Sequence, residues 1–187
     1  MAMNSTFLVI GVLILIVVIG VSQYNSLVRL NVNVDEGFSQ IEVQLQRRAD
    51  LIPNLVETVK GYATHEKSTL DAVISARAQA TSAQGLQEVA AADGSLTQAL
   101  RGLLAVAEAY PDLKASANFL SLQEELSSTE NKVGFARQYY NDNVRKLNAA
   151  IVAIPGKFFA GMAKVSARDF YVLDDPAKRD VPSVKFD

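Results

Sequence analysis

Hydrophobic residues are concentrated at the start of the chain, where the first 28 residues contain no charged side chain. Within that stretch, Phe7 to Val21 is an unbroken run of apolar residues and glycine. A helix rises about 1.5 Å per residue, so the run alone is short for a bilayer core of about 30 Å. Uncharged residues on both sides lengthen it and put Tyr24 at interface depth. The pattern predicts a short N-terminal segment over 1–6 and one transmembrane helix over 7–24.

Two other interpretations of the apolar run fit the sequence less well. A cleaved signal peptide needs a basic segment before the run and a small-x-small site after it, whereas MAMNST has no basic residue and VSQYNS is a poor cleavage site. A helix that is apolar on every face would need a far larger protein to bury it. No Lys or Arg precedes the run, while Arg29, Arg47 and Arg48 follow it, which predicts an N-terminus outside and a body in the cytoplasm.

Beyond the apolar run, apolar or small residues recur at steps of three and four, as on one face of a long helix. The pattern keeps its phase through Pro53, which predicts a helix kink at Pro53 rather than a reversal. The residues of this stripe are Val34, Phe38, Ile41, Leu45, Ala49, Ile52, Val56, Val59 and Ala63.

Four further segments complete the predicted body. A second helix runs to about Ala80, residues 81–96 have a weak apolar face and are interpreted as a connection, and Ser95 caps a third helix that ends before Tyr110. A heptad-like stripe of apolar residues follows and predicts a last helix, which Pro155 and Gly156 end. We expect an all-α fold, with an antiparallel up-and-down four-helix bundle over 25–156 and an extended C-terminal tail over 157–187.

Composition excludes several kinds of chemistry. The chain has 18 basic and 20 acidic side chains, and this near-neutral balance lacks the basic stripe that nucleic acid requires. No cysteine is present, so there is no disulfide, thiolate zinc site or cysteine nucleophile. The lone His65 cannot form the helical zinc motif because position 69 is Thr. We therefore expect no catalytic residue, no metal, no cofactor and no enzymatic activity.

Two polar groups of residues stand out on the predicted helices. If those helices pack, the two groups would form an interhelical network that fixes register or serves interactions. Surface charge with register-fixing pairs is favoured over a ligand site as the interpretation of these residues. The first group surrounds Pro53 and the second lies mid-helix: Arg47, Arg48, Asp50, Asn54 and Glu57, then Glu125, Thr129, Glu130, Asn131 and Arg137.

The sequence resembles the LemA family of bacterial membrane proteins. The resemblance rests on residues 40–80, which include RRADLIPNLVETVKGYATHE, on residues 110–148, and on the IPGKFFAGM stop. It implies an N-terminal transmembrane helix with its N-terminus outside and a cytoplasmic four-helix bundle. It also implies a scaffold or adaptor without established catalysis, linked to membrane quality control and to membrane-bound metallopeptidases.

Together, these observations predict a single-pass, non-enzymatic protein of the bacterial inner (cytoplasmic) membrane. Its expected partners are membrane lipid through the N-terminal helix, further copies of itself, and a membrane-bound metallopeptidase or another membrane protein. One alternative is a membrane receptor or sensor with a helical ligand-binding bundle, in which Arg47 or Arg48 would be buried and face a cavity. Another is an extracytoplasmic pilin-like subunit, although no Gly-Phe-Thr-Leu-Ile-Glu site precedes the span.

Overall fold

The computed structural model describes residues 2–63 and 65–172, and these are predominantly helical with no β-strand among them. The all-α class is confirmed, as is a long apolar N-terminal helix. Residues 173–187 of the predicted C-terminal tail and Met1 of the predicted N-terminal segment lie outside the described residues. The helices are α1 (Ala2–Lys60), α2 (Lys67–Ser82), α3 (Gly85–Ala107), α4 (Pro111–Lys114), α5 (Ala117–Val152) and α6 (Gly156–Phe159).

Helix α1 is 59 residues long and contains both the apolar run and the first amphipathic stripe. It continues through Pro53, whose missing N–H and ring interrupt one turn without ending the helix. Its first part is long and apolar enough to cross a membrane, and the side chains of the most apolar stretch are not buried inside the protein. Phe7 and Leu8 are typical of that stretch in being exposed.

Helix α3 differs from the prediction. Residues 81–96 are not a connection, because α2 continues to Ser82 and α3 begins at Gly85. Gly85 has a φ of 75°, a left-handed conformation that favours glycine, and the Glu88 carboxylate accepts the backbone N–H of Gln84. Ser95 is not a cap, since its hydroxyl donates to the Ala91 carbonyl inside the helix. The apolar face of this stretch is weak because small residues pack there.

The chain divides into two compact units. Unit 1 comprises the described residues of 1–39 and 138–170, and unit 2 those of 40–137 and 171–187. Helices α1 and α5 each contribute residues to both units. Helices α2, α3 and α4 belong to unit 2, and α6 belongs to unit 1.

In unit 1, the start of α1 runs antiparallel to the end of α5 and to α6. A Cβ on Gly37 would lie 3.0 Å from the Cα of Tyr140, so the two backbones approach closely where glycine permits it. The Phe38 and Tyr140 rings have centroids 6.1 Å apart. Towards the start of α1, Gly20 lies against the Phe159 ring. Residues later in α5 and α6 therefore contact residues earlier in α1.

Unit 2 contains a continuous hydrophobic core to which α1, α2, α3, α4 and α5 all contribute. Its fully buried members include Ile52 and Leu55 of α1 and Leu103 of α3. Aliphatic side chains predominate, so the core is held mainly by non-directional burial of apolar surface. The cluster comprises Ile52, Leu55, Val56, Val59, Ala63, Leu70, Val73, Ala76, Leu96, Leu100, Leu103, Ala107, Leu113, Phe119 and Leu126.

We predict that Leu103→Ala lowers the free energy of unfolding by about 2 to 5 kcal/mol, because it leaves a cavity in the core of unit 2. Leu120→Ala is the matched control, since Leu120 is 49% exposed, and we expect it to change stability by less than about 1 kcal/mol. Urea unfolding of the full chain in mild detergent, followed by circular dichroism, measures both. Equal midpoints for the two variants would contradict this description of the core.

Candidate functional site

Charged side chains are buried at one place in unit 2, which we call the buried polar cluster. It consists of Arg48 on α1, Asp93 and Thr97 on α3, Arg137 on α5, and Tyr171 beyond α6. Arg48 is 3% exposed and Asp93 is 2% exposed. Charges this deep in a protein are normally paired, because desolvation of an unpaired charge is very costly.

Helical periodicity accounts for the position of Asp93. Val89, Leu96 and Leu100 are buried on α3, and Asp93 lies at the step of four and three between them, on the same face. An acidic residue therefore occupies a position where the pattern calls for an apolar one. On α1, Arg48 likewise lies one turn before the buried Ile52.

The Arg48 guanidinium binds α3 through a single nitrogen. Its Nη1 donates to Asp93 Oδ1 at 3.2 Å and to Thr97 Oγ1 at 2.9 Å. Its Nη2 lies 3.8 Å from Glu130 Oε2 on α5, whose side chain is 51% exposed. Its Nε is buried without a hydrogen-bond partner among the described residues. The guanidinium on α1 thus contacts both α3 and α5. Of its two carboxylate partners, only Asp93 is buried.

The second oxygen of Asp93 has partners of its own. Oδ2 accepts a hydrogen bond from the Tyr171 hydroxyl at 3.0 Å and lies 3.9 Å from Arg137 Nη1. The guanidinium carbon of Arg137 also lies 5.9 Å from the centroid of the Tyr171 ring, within range of a cation–π contact. The carboxylate is therefore shared between two arginines and a phenol.

The electrostatics of the cluster keep Tyr171 protonated. Burial, and then the adjacent Asp93 carboxylate, raise the pKa of the Tyr171 phenol far above its ordinary value, while Arg137 and Arg48 oppose that rise. A neutral phenol can donate its proton to the carboxylate in a hydrogen bond, whereas a phenolate could not. The arrangement suits a permanent structural contact rather than a proton-transfer group near neutral pH.

The chemistry available in the described part of the chain is limited. No group of three or more His, Asp or Glu side chains there could hold a metal ion. A shallow cleft of about 360 Å³ opens in unit 2, but its lining includes Leu104, Lys114 and Phe119 and none of the cluster residues. The groups of the buried polar cluster are directed at one another, so the cluster fixes the helices of unit 2 against each other.

The structure brings three of the ten predicted polar site residues together, namely Arg48, Glu130 and Arg137. Thr129 is buried, but its hydroxyl donates to the Glu125 carbonyl within α5. The other six lie exposed on α1 and α5: Arg47, Asp50, Asn54, Glu57, Glu125 and Asn131. Of these, Asp50 accepts a hydrogen bond from Gln46 at 2.7 Å, and Glu57 lies 4.0 Å from Lys60.

Sequence reasoning missed Asp93, Thr97 and Tyr171. The apolar spacing around Asp93 was a usable signal, but interpreting residues 81–96 as a connection concealed it. The pairing of Tyr171 with Asp93 gave no local signal, because the two residues lie 78 positions apart in the chain.

Unit 1 has a polar arrangement of its own, formed by the irregular segment 165–170, which we call the strap. Asn148 on α5 donates to the Arg168 carbonyl and accepts the Arg168 backbone N–H, both at 2.9 Å. The Arg168 guanidinium donates to Asp35 Oδ1 on α1 at 2.6 Å. The Tyr140 hydroxyl donates to the Asp169 carbonyl at 2.9 Å, and burial raises the pKa of that phenol. The strap is therefore tied to α1 and to α5.

Most of this chain is similar to one known protein family. The model of the LemA family matches residues 37–186. The chain belongs to the LemA family. Magnetosome proteins MamQ 1 and MamQ 2 of Paramagnetospirillum magneticum are each 23% identical to it over 175 residues, covering 80% of this chain and 64% of theirs.

A further relative is the magnetosome protein MamQ of Magnetospirillum gryphiswaldense, which is 25% identical over 164 residues and covers 74% of this chain and 60% of its own length. This LemA-family chain thus spans less than two thirds of the length of the curated relatives it matches. The relatives and the apolar first helix fit a membrane-associated helical protein.

We predict that Asp93→Ala lowers the free energy of unfolding by about 3 to 5 kcal/mol, because it leaves Arg48 as an uncompensated buried charge. Glu130→Ala removes the half-exposed partner of the same guanidinium and should cost about 1 kcal/mol or less. Urea unfolding of both variants in mild detergent provides the measurement. A loss for Glu130→Ala as large as that for Asp93→Ala would mean that the ion pair with Asp93 is not the dominant one.

The pKa of Tyr171 predicts a specific dependence of stability on pH. Because the folded protein holds the phenol protonated, its contribution is complete below the unfolded-state pKa of about 10 and declines above it, by about 1.4 kcal/mol per pH unit. At pH 9, we expect Tyr171→Phe to be less stable than wild type by about 1 kcal/mol through the lost hydrogen bond. That difference should shrink or reverse by pH 11.

Denaturant unfolding of wild type and Tyr171→Phe across this pH range tests the dependence. The other tyrosines and the lysines titrate in both proteins and cancel in the comparison. A difference that stays constant from pH 9 to pH 11 would show that Tyr171 has no raised pKa in the folded state.

Proposed function

We propose that this protein is a non-enzymatic, membrane-anchored scaffold or adaptor that assembles with copies of itself. The observation that carries the proposal is the composition of α1. This one helix supplies the exposed apolar run that begins at Phe7 and also supplies Ile52, Leu55 and Val59 to the core of unit 2. A helix that serves both purposes suits the attachment of a folded body to a bilayer.

The proposal includes a specific architecture and location. The four longer helices, α1, α2, α3 and α5, would pack as an antiparallel up-and-down bundle. The protein would lie in the bacterial inner membrane as a single-pass protein, with its N-terminus outside and its body in the cytoplasm, in accord with the basic residues that follow the run.

Exposed apolar side chains in unit 2 support self-assembly. Phe135 on α5 is 72% exposed and Val43 on α1 is also largely exposed, although both lie on helices that have a well-buried face. Large apolar residues on the outer face of a helix are typical of surfaces that contact another protein. A membrane-bound metallopeptidase or another membrane protein is the proposed further partner, in a role in membrane quality control, and this part rests on the family resemblance.

The buried polar cluster does not favour the receptor alternative. That alternative calls for a buried arginine that faces a cavity, whereas the Arg48 guanidinium is engaged by Asp93 and Thr97. Arg47 is exposed.

We predict that crosslinking in intact cells, followed by native mass determination in mild detergent, gives an assembly of several copies. Phe135→Gln should reduce the assembled fraction at a given concentration by about tenfold or more, which is the effect of losing one buried aromatic anchor. Leu120→Gln, at a less exposed site on the same helix, is the matched control. A monomer without any co-purifying protein would contradict the scaffold and adaptor proposal.

The natural absence of cysteine provides a direct test of orientation. We expect Ser5→Cys to react with a membrane-impermeant maleimide in intact cells, and Ser128→Cys to react only after the membrane is permeabilised. Ser128 is exposed on α5, so failure to react would not come from burial. The reverse pattern of labelling would overturn the proposed orientation.

A further inference from the structure

The turn between α5 and the strap exposes large apolar side chains in unit 1. We call residues 152–164 the turn segment. It includes α6 and the turns on both sides of it. Its most exposed apolar side chains are Val152, Ile154, Phe158 and Met162, and the last three are spaced by four residues. The Phe158 side chain, for example, is 71% exposed. Such a concentration of exposed apolar surface calls for an apolar neighbour.

The turn segment lies beside the last part of the apolar run. The Phe159 ring lies against Gly20, where a Cβ would come within 3.2 Å of it. Phe159 and Met162 also line a mainly apolar cleft of about 360 Å³ with Ile16 and Tyr24 of α1. The turn segment therefore lies beside residues 16–24 of α1. These residues include the end of the apolar run and precede the first charged side chain, Arg29.

The backbone of the turn segment is a defined structure rather than a loose loop. A Cβ at Gly156 would overlap the carbonyl oxygen of Ala150, so the chain turns tightly where only glycine fits. At the other end, Lys164 has a φ of 52°, and the Val165 N–H donates to the Ala160 carbonyl at 3.1 Å. Together with the bond from the Lys164 N–H to the Gly161 carbonyl, this is a Schellman motif. The backbone that carries the exposed side chains is therefore held in place by the fold.

The charged side chains nearest to the turn segment in the sequence are basic. Residues 143–168 contain five basic side chains and no acidic one, although the whole chain has a net charge of −2. Arg145 pairs with Asp142 and Arg168 pairs with Asp35. The other three are Lys146, Lys157 and Lys164, and no ion pair joins any of them to an acidic group in the described part of the chain. Apolar side chains flanked by exposed lysines match the boundary between the acyl chains and anionic headgroups of a bilayer.

We propose that the turn segment is a second membrane contact, which inserts Phe158 and Met162 at the acyl–headgroup boundary of a bilayer containing anionic phospholipid. This inference rests on the proposed membrane anchoring of α1. Lys157 and Lys164 then lie at the depth of the phosphate groups, and lipid chains cover the cleft beside Gly20. The contact fixes how unit 1 sits on the bilayer surface, which a single spanning helix alone does not do.

The chain has no tryptophan, so single tryptophans can report depth in the membrane. The full chain is reconstituted into phosphatidylcholine vesicles, or into an equal mixture with phosphatidylglycerol, containing lipids brominated on their acyl chains near the headgroup or deeper. Phe158→Trp tests the turn segment and Leu13→Trp tests the apolar run. Phe135→Trp is the matched control, since Phe135 is as exposed as Phe158 but lies in unit 2.

The expected result is quenching of Phe158→Trp by shallow bromines about twofold or more above that of Phe135→Trp, and quenching of Leu13→Trp by deep bromines. Quenching of Phe158→Trp should be greater with phosphatidylglycerol, and Lys157→Gln with Lys164→Gln should remove that increase. An increase that persists in the double lysine variant would overturn the anionic part of the inference.

Three further outcomes distinguish failure of the inference from failure of the proposed function. Quenching of Leu13→Trp without quenching of Phe158→Trp would overturn the second contact and leave the anchor intact. A blue-shifted but unquenched Phe158→Trp would overturn it too, and would indicate that a second copy of the chain covers the segment. If neither position is quenched, the proposed anchor fails and the inference fails with it.

Discussion

The ion pair between Arg48 and Asp93 is the interaction on which the arrangement of unit 2 depends. Both side chains are almost completely removed from water, so neither charge is tolerable without the other. The aliphatic core around them is adaptable, since leucine, valine and alanine can repack when helices slide by a turn. A buried pair that must meet at 3.2 Å does not allow such sliding. The pair therefore fixes the register of α1 against α3, and the bond from Tyr171 to Asp93 attaches the chain beyond α6 to the same point.

Unit 1 achieves specificity by close backbone approach and polar ties rather than by a buried charge. Gly37 lets α1 come close to Tyr140, and Gly156 lets the chain turn against the end of α5. The strap then joins α5 to α1 through Asn148, Arg168 and Asp35. The two glycines act where a larger residue would keep the elements apart, and the strap is held by polar groups. The contacts of unit 1 therefore depend on residue types that contribute little hydrophobic energy themselves.

Much of the fold follows from local pattern, but the centre of the polar cluster does not. The apolar run and the stripe from Val34 to Ala63 have the period of a helix, and α1 contains both. The first half of helix α3 escaped prediction because it buries Ala90 and Ala92, whose small side chains give almost no amphipathic contrast. Arg48, Glu130 and Arg137 could be singled out as polar residues near predicted helix interfaces. Asp93 and Tyr171 meet only through long-range folding, which no local propensity encodes.

The positions of the buried charged groups and of the exposed apolar side chains bear on function. The buried charged groups of unit 2 are turned inward and pair with one another, although Arg48 Nε has no hydrogen-bond partner among the described residues. A substrate would have to break the Arg48–Asp93 pair to use them. The surface instead presents apolar side chains, both on the run from Phe7 to Val21 and on the turn segment of unit 1. Apolar surface of this kind gains free energy only when a lipid or protein covers it. Unit 2 therefore keeps its paired charges inside, and the proposed scaffold role depends on where the exposed apolar residues lie.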